Sequence, residues 1–130
     1  MNPARAVSLT GDAIAAYNSM KAASADPESL AKEIAKWSPD IVLRVIAHDA
    51  GRALPLGNYF LGAGFNVLDP NVWKGIALMK LRIEIDKLYE TAAVDFDEMT
   101  TLRVDLGRNP ARAHQMIIVY KLRQRGRTGK

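Results

Sequence analysis

The chain has 130 residues and a mass of 14.3 kDa, which is the length of one ordinary domain. Apolar residues make up 48% of it and charged residues 25%, a composition that predicts a folded protein and excludes a long disordered one. The net charge is +4, and the absence of cysteine excludes both disulfides and thiolate metal sites.

The first fifty residues predict three short helices. The first is expected over residues 10–23, which are rich in alanine. Asp26 followed by Pro27 marks the start of a second helix, which should end before Pro39. Pro39 also begins a third helix, for which Gly51 supplies a stop. This succession of short helices is typical of a mainly α protein.

The segment that follows, ALPLGNYFLGAGFNVL at residues 53–68, is apolar and interrupted by Pro55 and three glycines. It is too apolar for a solvated loop and too broken for a long helix, so we expect a buried, extended connector that another subunit could cover. At 16 residues it is also shorter than the roughly 20 needed to span a bilayer. No transmembrane segment is therefore predicted.

Asp69 and Pro70 begin the longest predicted helix, which carries two apolar rows. One row consists of Val72, Ile76, Met79 and Ile83, and the other of Leu78, Leu81, Ile85, Leu88 and Ala92. A small domain seldom has enough material to cover two apolar faces of one helix. The sequence therefore predicts self-association, either with identical copies or with a similar second subunit.

The region after this helix leaves two structures open. Residues 102–106 alternate between apolar and charged side chains, as do residues 81–85, and this pattern is also that of a half-buried strand. An α+β fold with a short hairpin is thus the alternative to a mainly α fold. Asn109 and Pro110 then begin a last helix. We expect residues 1–107 to form a helical assembly part and residues 108–130 a basic helix and tail, within the same domain.

No catalytic or metal-binding motif is complete. His48 and Asp49 are adjacent, so on a helix they do not face each other, and a polar helix edge is the simpler interpretation. The acids within residues 95–98 resemble the start of a calcium loop but lack its glycine. We therefore predict a protein that is not an enzyme and has no cofactor, metal or small-molecule substrate. A small enzyme or enzyme subunit that uses these acids or His48 remains an alternative.

The positive charge is concentrated at the carboxyl end. Residues 1–107 carry 11 Lys and Arg against 14 Asp and Glu, whereas the remaining 23 residues carry seven Lys and Arg and no acid. Such a set can neutralise the phosphates of duplex DNA without reading its sequence, although a solvated basic end that complements a helix dipole would look the same. The candidate DNA-binding residues are Arg108, Arg112, Lys121, Arg123, Arg125, Arg127 and Lys130, with Arg5 and Lys21 as lesser candidates.

Three stretches together resemble the major coat proteins of filamentous archaeal DNA viruses: NPARA at residues 2–6, the apolar connector, and the ending YKLRQRGRTGK. The resemblance implies a small, mostly helical subunit that wraps double-stranded DNA as repeating dimers and resides in the virion. The expected function is thus a self-assembling coat subunit that packages double-stranded DNA. A DNA-binding nucleoid or phage accessory protein that does not polymerise, and is cytoplasmic, is the alternative.

Overall fold

The computed structural model describes residues 9–49, 54 and 68–128. Over these residues the chain forms six α-helices and one 3₁₀ turn, and no strand occurs in this part of the chain. The helices are α1 (Asp12–Ala23), α2 (Pro27–Lys36), α3 (Pro39–Asp49), α4 (Ile76–Glu90), α5 (Phe96–Arg108) and α6 (Pro110–Thr128). The prediction of a mainly α fold is confirmed.

The local start signals of the helices act as the sequence predicts. The Asp26 carboxylate accepts the Ser29 N–H at 3.0 Å, and the Asn109 side-chain oxygen accepts the Arg112 N–H at 3.1 Å. Each of these bonds satisfies an N–H group that has no partner within its own helix. The second NPARA, at residues 109–113, is therefore a helix start, whereas the first lies outside the described residues.

The alternative of a strand over residues 102–106 is wrong, because these residues lie within α5. A capping box fixes the start of this helix: Glu98 N–H donates to the Asp95 carboxylate at 2.8 Å, and Asp95 N–H donates to the Glu98 carboxylate at 3.0 Å. Leu102 is buried and Leu106, four residues later, packs against the same cluster. Apolar residues four apart share a face both on an α-helix, with its period of 3.6 residues, and on a β-strand, with its period of two. The alternation alone therefore did not distinguish a helix from a strand.

The long helix predicted from Asp69 is divided in two. A 3₁₀ turn occupies Pro70–Trp73, and α4 begins only at Ile76. Gly75 separates them with a φ of +62°, a left-handed conformation that glycine adopts without the steric cost of a side chain. The interruption explains why the longest helix of the described residues is α6, with 19 residues, and not α4, with 15.

The fold is organised around α6, which packs against α2, α3, α4 and α5. On one side its Ile118, Val119 and Leu122 join a cluster built from α1, α2 and α3. On the other side its Ile117 joins a cluster of α4 and α5. The apolar residues of α6 are therefore covered within the chain and do not need a second subunit.

Only one of the two apolar rows predicted for α4 is buried, and it consists of Leu81, Ile85 and Leu88 together with Ala77. The other row, from Ile76 to Ile83, is exposed to solvent. Most of the apolar connector, residues 53 and 55–67, lies outside the described residues. Its two described members are Leu54, which is buried in the first cluster, and Leu68, which packs against that cluster.

Candidate nucleic-acid interface

One face of α6 remains open to solvent and carries arginines. Five residues recur along it at spacings of four, four, three and four, which places them on one side of the helix. We call this the open face of α6, and it comprises Arg112, Met116, Tyr120, Arg123 and Arg127. All five are partly or fully exposed, whereas residues 113–115, 117–119 and 122 are buried.

The three arginines of the open face form a linear array. With a rise of about 1.5 Å per residue, Arg112 and Arg127 are about 22 Å apart along the helix axis. The three arginines differ in how close the nearest carboxylate lies. Arg123 Nη1 lies 4.0 Å from a Glu98 oxygen, whereas neither Arg112 nor Arg127 lies within ion-pair distance of a carboxylate of the described residues. The ends of the array are thus more positive than its centre.

Tyr120 lies between the arginines, near the centre of the array, and contacts Arg123. The Arg123 guanidinium lies over its ring, 5.4 Å from the ring centroid, an arrangement that limits the motion of a long side chain. Burial raises the pKa of the Tyr120 hydroxyl, and the negative charge of Glu98 raises that pKa further, against the opposing effect of Arg123. The tyrosine is consequently neutral at physiological pH and adds no negative charge to the open face.

The remaining predicted residues lie elsewhere. Lys121 forms an ion pair with Glu84 of α4, and Arg125, one turn further along, shares its side of α6. Lys21 is exposed on α1, with its ammonium 5.4 Å from the centre of the Tyr17 ring. Arg5 and Lys130 lie outside the described residues. The seven cations of the carboxyl end therefore do not form one surface.

Arg108 is the last residue of α5 and is exposed. It lines a cleft of about 440 Å³ between the first turns of α3 and α6 and the 3₁₀ turn, with Leu43, Leu68 and Trp73 on its apolar walls. Arg108 shares this cleft with Asp40 and lies four residues before Arg112 in the chain. Three of the predicted residues, Arg112, Arg123 and Arg127, are thus brought onto one face, with Arg108 near one end.

The sequence missed the parts of this surface that carry no positive charge. Met116 and Tyr120 lie between the arginines, and Glu98 reaches the face from α5, a different helix. The helical period of residues 112, 116, 120, 123 and 127 was available in the sequence and would have grouped the arginines. The proximity of Glu98 depends on the packing of α5 against α6, which no local pattern reveals.

The residues considered for catalysis have structural roles in this fold. Asp49 is only 1% exposed and accepts hydrogen bonds from the Leu54 N–H at 3.2 Å and the Tyr17 hydroxyl at 3.3 Å. Its interpretation as part of a polar helix edge is therefore wrong, because the carboxylate is buried and binds the backbone N–H of Leu54, beyond the end of α3. His48 lies edge-on to the Tyr17 ring, 5.0 Å between centroids. His114 is fully buried beside Trp73, and does not belong to the basic surface.

The described residues contain no group of three or more His, Asp or Glu side chains that could hold a metal ion. None of their helices combines the length and the hydropathy required to cross a membrane.

Comparison of the chain with protein-family models, curated proteins and solved structures finds no match. The resemblance to filamentous archaeal virus coat proteins therefore stays a prediction.

Proposed function

We propose that this chain is a structural, non-enzymatic subunit that binds the backbone of double-stranded DNA through the open face of α6 and self-associates along it. In its specific form the subunit is the coat protein of a filamentous virion. The observation that carries the proposal is the linear array of Arg112, Arg123 and Arg127 along one solvent-accessible side of a helix whose apolar residues are packed against the rest of the fold.

The chemistry of arginine supports contact with phosphate. A guanidinium offers several N–H donors in a planar arrangement that matches two phosphate oxygens, and it stays charged at any physiological pH. Duplex DNA carries one negative charge per about 1.7 Å of axis, so an array of about 22 Å faces many phosphates. No Asp or Glu occurs within residues 108–130 to oppose this attraction. The binding should not depend on base sequence.

The rigidity of α6 also supports the proposal. Packing on α2, α3, α4 and α5 fixes the backbone that carries the arginines, so DNA binding would order only side chains. The close approach of α6 to α2 extends almost to the end of the helix: a Cβ added at Gly126 would lie 3.5 Å from the Glu28 Cβ. Arg127 is therefore adjacent to a packed position.

One observation favours the second candidate, a DNA-binding nucleoid or accessory protein that does not polymerise. The apolar residues of α6 are covered within a single chain, so folding does not require neighbouring subunits. The two candidates share the DNA-binding surface and differ only in assembly.

Electron microscopy distinguishes them. Purified protein is mixed with linear duplex DNA of several hundred base pairs and imaged in negative stain, beside protein and DNA alone. A coat subunit should give filaments of constant diameter whose length follows that of the DNA. Naked DNA with scattered bound particles would favour the non-polymerising candidate, and no bound protein at low salt would contradict the shared proposal.

The Glu98→Gln variant should bind duplex DNA more tightly than the wild type, by severalfold at low salt. The glutamine keeps the oxygen that accepts the Asp95 N–H in the capping box, while the negative charge 4.0 Å from Arg123 is removed. Fluorescence anisotropy with a labelled duplex measures the change.

Two controls accompany this variant. Glu33→Gln removes one charge from a residue that pairs with Lys36 within α2, and its effect should be smaller. A tyrosine absorbance titration of Glu98→Gln should show a lower pKa for Tyr120, since a nearby negative charge is lost. Unchanged or weaker DNA binding by Glu98→Gln, with that pKa lowered as expected, would contradict a role for Arg123 in binding.

A further inference from the structure

The positive charge of the open face of α6 is divided between its two ends. Arg112 lies at one end, Arg127 lies about 22 Å away at the other, and Arg123 is one turn before Arg127. Between Arg112 and Arg123 the face carries only Met116 and Tyr120, and neither side chain is charged at physiological pH. The open face therefore has one cation at its first end, two at its second, and an uncharged stretch between them.

Two carboxylates of α5 make the middle of the open face unattractive to phosphate. Glu98 lies 4.0 Å from Arg123 Nη1. Burial raises the pKa of the Tyr120 hydroxyl, and the negative charges of Glu98 and Asp95 raise that pKa further. Because Tyr120 lies in the middle of the face, both carboxylates act there. A phosphate opposite Tyr120 would thus meet negative charge.

This distribution of charge does not suit a DNA strand that runs along α6. Each strand of a duplex carries one phosphate per about 3.4 Å of axis, so about six phosphates would face the length between the end arginines. Several of these phosphates would lie against the uncharged stretch and near Glu98. Nor can α6 enter a groove lengthwise, because α2, α3, α4 and α5 pack against its other sides.

We propose that α6 lies across the major groove of duplex DNA, with Arg112 on the phosphates of one strand and with Arg123 and Arg127 on those of the other. The major groove is about 12 Å wide, and the two backbones that border it bring the span close to the length of the array. The minor groove, about 6 Å wide, would bring both backbones toward the middle of the face, where Glu98 lies.

This inference rests on the proposed function and adds to it that both strands are contacted at once. Its test uses two duplexes of one sequence, an intact duplex and a half-neutral duplex in which every linkage of one strand is an uncharged methylphosphonate. Backbone contacts do not read sequence, so the protein binds the half-neutral duplex with its two-arginine end on the charged strand. Arg112 then faces the neutral strand. Arg112→Gln should therefore weaken binding to the intact duplex and leave binding to the half-neutral duplex unchanged.

Fluorescence anisotropy at several salt concentrations gives the affinity and the slope of log K against log salt. On the intact duplex, Arg112→Gln should bind about tenfold more weakly than the wild type, with a slope smaller in magnitude by about one unit. On the half-neutral duplex, the two proteins should agree within about twofold and have equal slopes. The comparison is made within each duplex, so the lower charge density of the half-neutral one affects both proteins alike.

Two controls accompany the variant. Lys74→Gln removes one positive charge from an exposed residue in the turn before α4, and it should bind both duplexes as the wild type does, within about twofold. Circular dichroism verifies that Arg112→Gln is folded, as expected because the backbone N–H that donates to the Asn109 side chain is kept.

The outcomes separate this inference from the proposed function. An equal loss by Arg112→Gln on both duplexes would overturn the inference and assign all contacts to one strand, while DNA binding by the open face would stand. Wild-type affinity of Arg112→Gln for the intact duplex would overturn the inference as well. A wild-type protein that does not bind the intact duplex at low salt would contradict the proposed function, and this inference with it.

Discussion

Replacing Arg112, Arg123 and Arg127 together by glutamine should lower the affinity of the protein for duplex DNA at low salt by at least about tenfold, and by much more if all three contact phosphates. Each charge-assisted hydrogen bond to a phosphate contributes roughly 1.5–3 kcal/mol. The slope of log K against log salt should fall by about one unit for each arginine that contacts a phosphate. Fluorescence anisotropy with a labelled duplex at several salt concentrations measures both quantities.

The matched control removes three positive charges from other surfaces, in the variant Arg44→Gln, Lys74→Gln, Arg82→Gln. These three residues are exposed on α3, in the turn before α4, and on α4. The control has the same net charge as the open-face variant, so it separates contact from general attraction. It should retain most of the affinity and of the salt slope. Equal losses in the two triple variants would show that the open face of α6 is not the binding surface.

Replacing Gln115 by methionine should lower the free energy of unfolding by about 2–3 kcal/mol. The Gln115 side chain is fully buried in α6, and its Nε2 donates hydrogen bonds to the carbonyl oxygens of Ile34 at 2.7 Å and Trp37 at 3.0 Å. These carbonyls lie at the end of α2, where the helix supplies few donors, although that of Ile34 also accepts the Trp37 N–H at 3.4 Å. Methionine fills a similar volume but leaves both of them without this donor.

One effect reduces this loss: the buried Gln115 Oε1 has no hydrogen-bond partner among the described residues, and methionine removes the cost of burying it. Urea denaturation followed by circular dichroism gives the free energy of unfolding. The control is Gln124→Met, a partly exposed glutamine two and a half turns further along the same helix. It should cost less than about 1 kcal/mol, as surface substitutions usually do. A loss in Gln115→Met no larger than in the control would contradict the role of this amide in joining α2 to α6.

Local sequence signals predicted the helices of this fold well, because such signals act through neighbours in the chain. Asp26 and Asn109 each accept an N–H three residues later, and these bonds begin α2 and α6 wherever the rest of the chain lies. The division of the long predicted helix at Gly75 was missed. Glycine costs only about 1 kcal/mol inside a helix, so its presence alone does not reveal a backbone with positive φ.

Features that depend on tertiary packing could not be predicted from the sequence. The hydrogen bonds of Gln115 join residues 78 and 81 positions apart, and nothing near Gln115 in the sequence indicates them. The ion pair that holds Lys121 against Glu84 spans 37 positions. It divides a run of cations that is continuous in the sequence into a solvent-facing set and a set that faces α4. The sequence predicted the positive charge but not its distribution over the surface.

The exposed row of α4, by contrast, was identified from the sequence. Its apolar residues were predicted from spacing alone to require cover, and they are exposed in the single chain. The buried apolar residues of α6 also recur at helical spacing, yet α2, α3, α4 and α5 cover them within the chain. Periodicity indicates which residues form a face, but it does not indicate whether the chain itself supplies the cover.

The central claim is that the open face of α6 binds the DNA backbone, and a salt series on the wild-type protein tests it most directly. Anisotropy is measured with several labelled duplexes of unrelated sequence between low and physiological salt. We predict a linear decrease of log K with log salt, with a slope of about −3 for three contacts and the same slope for every sequence. No measurable binding at low salt, or an affinity that does not change with salt, would contradict it.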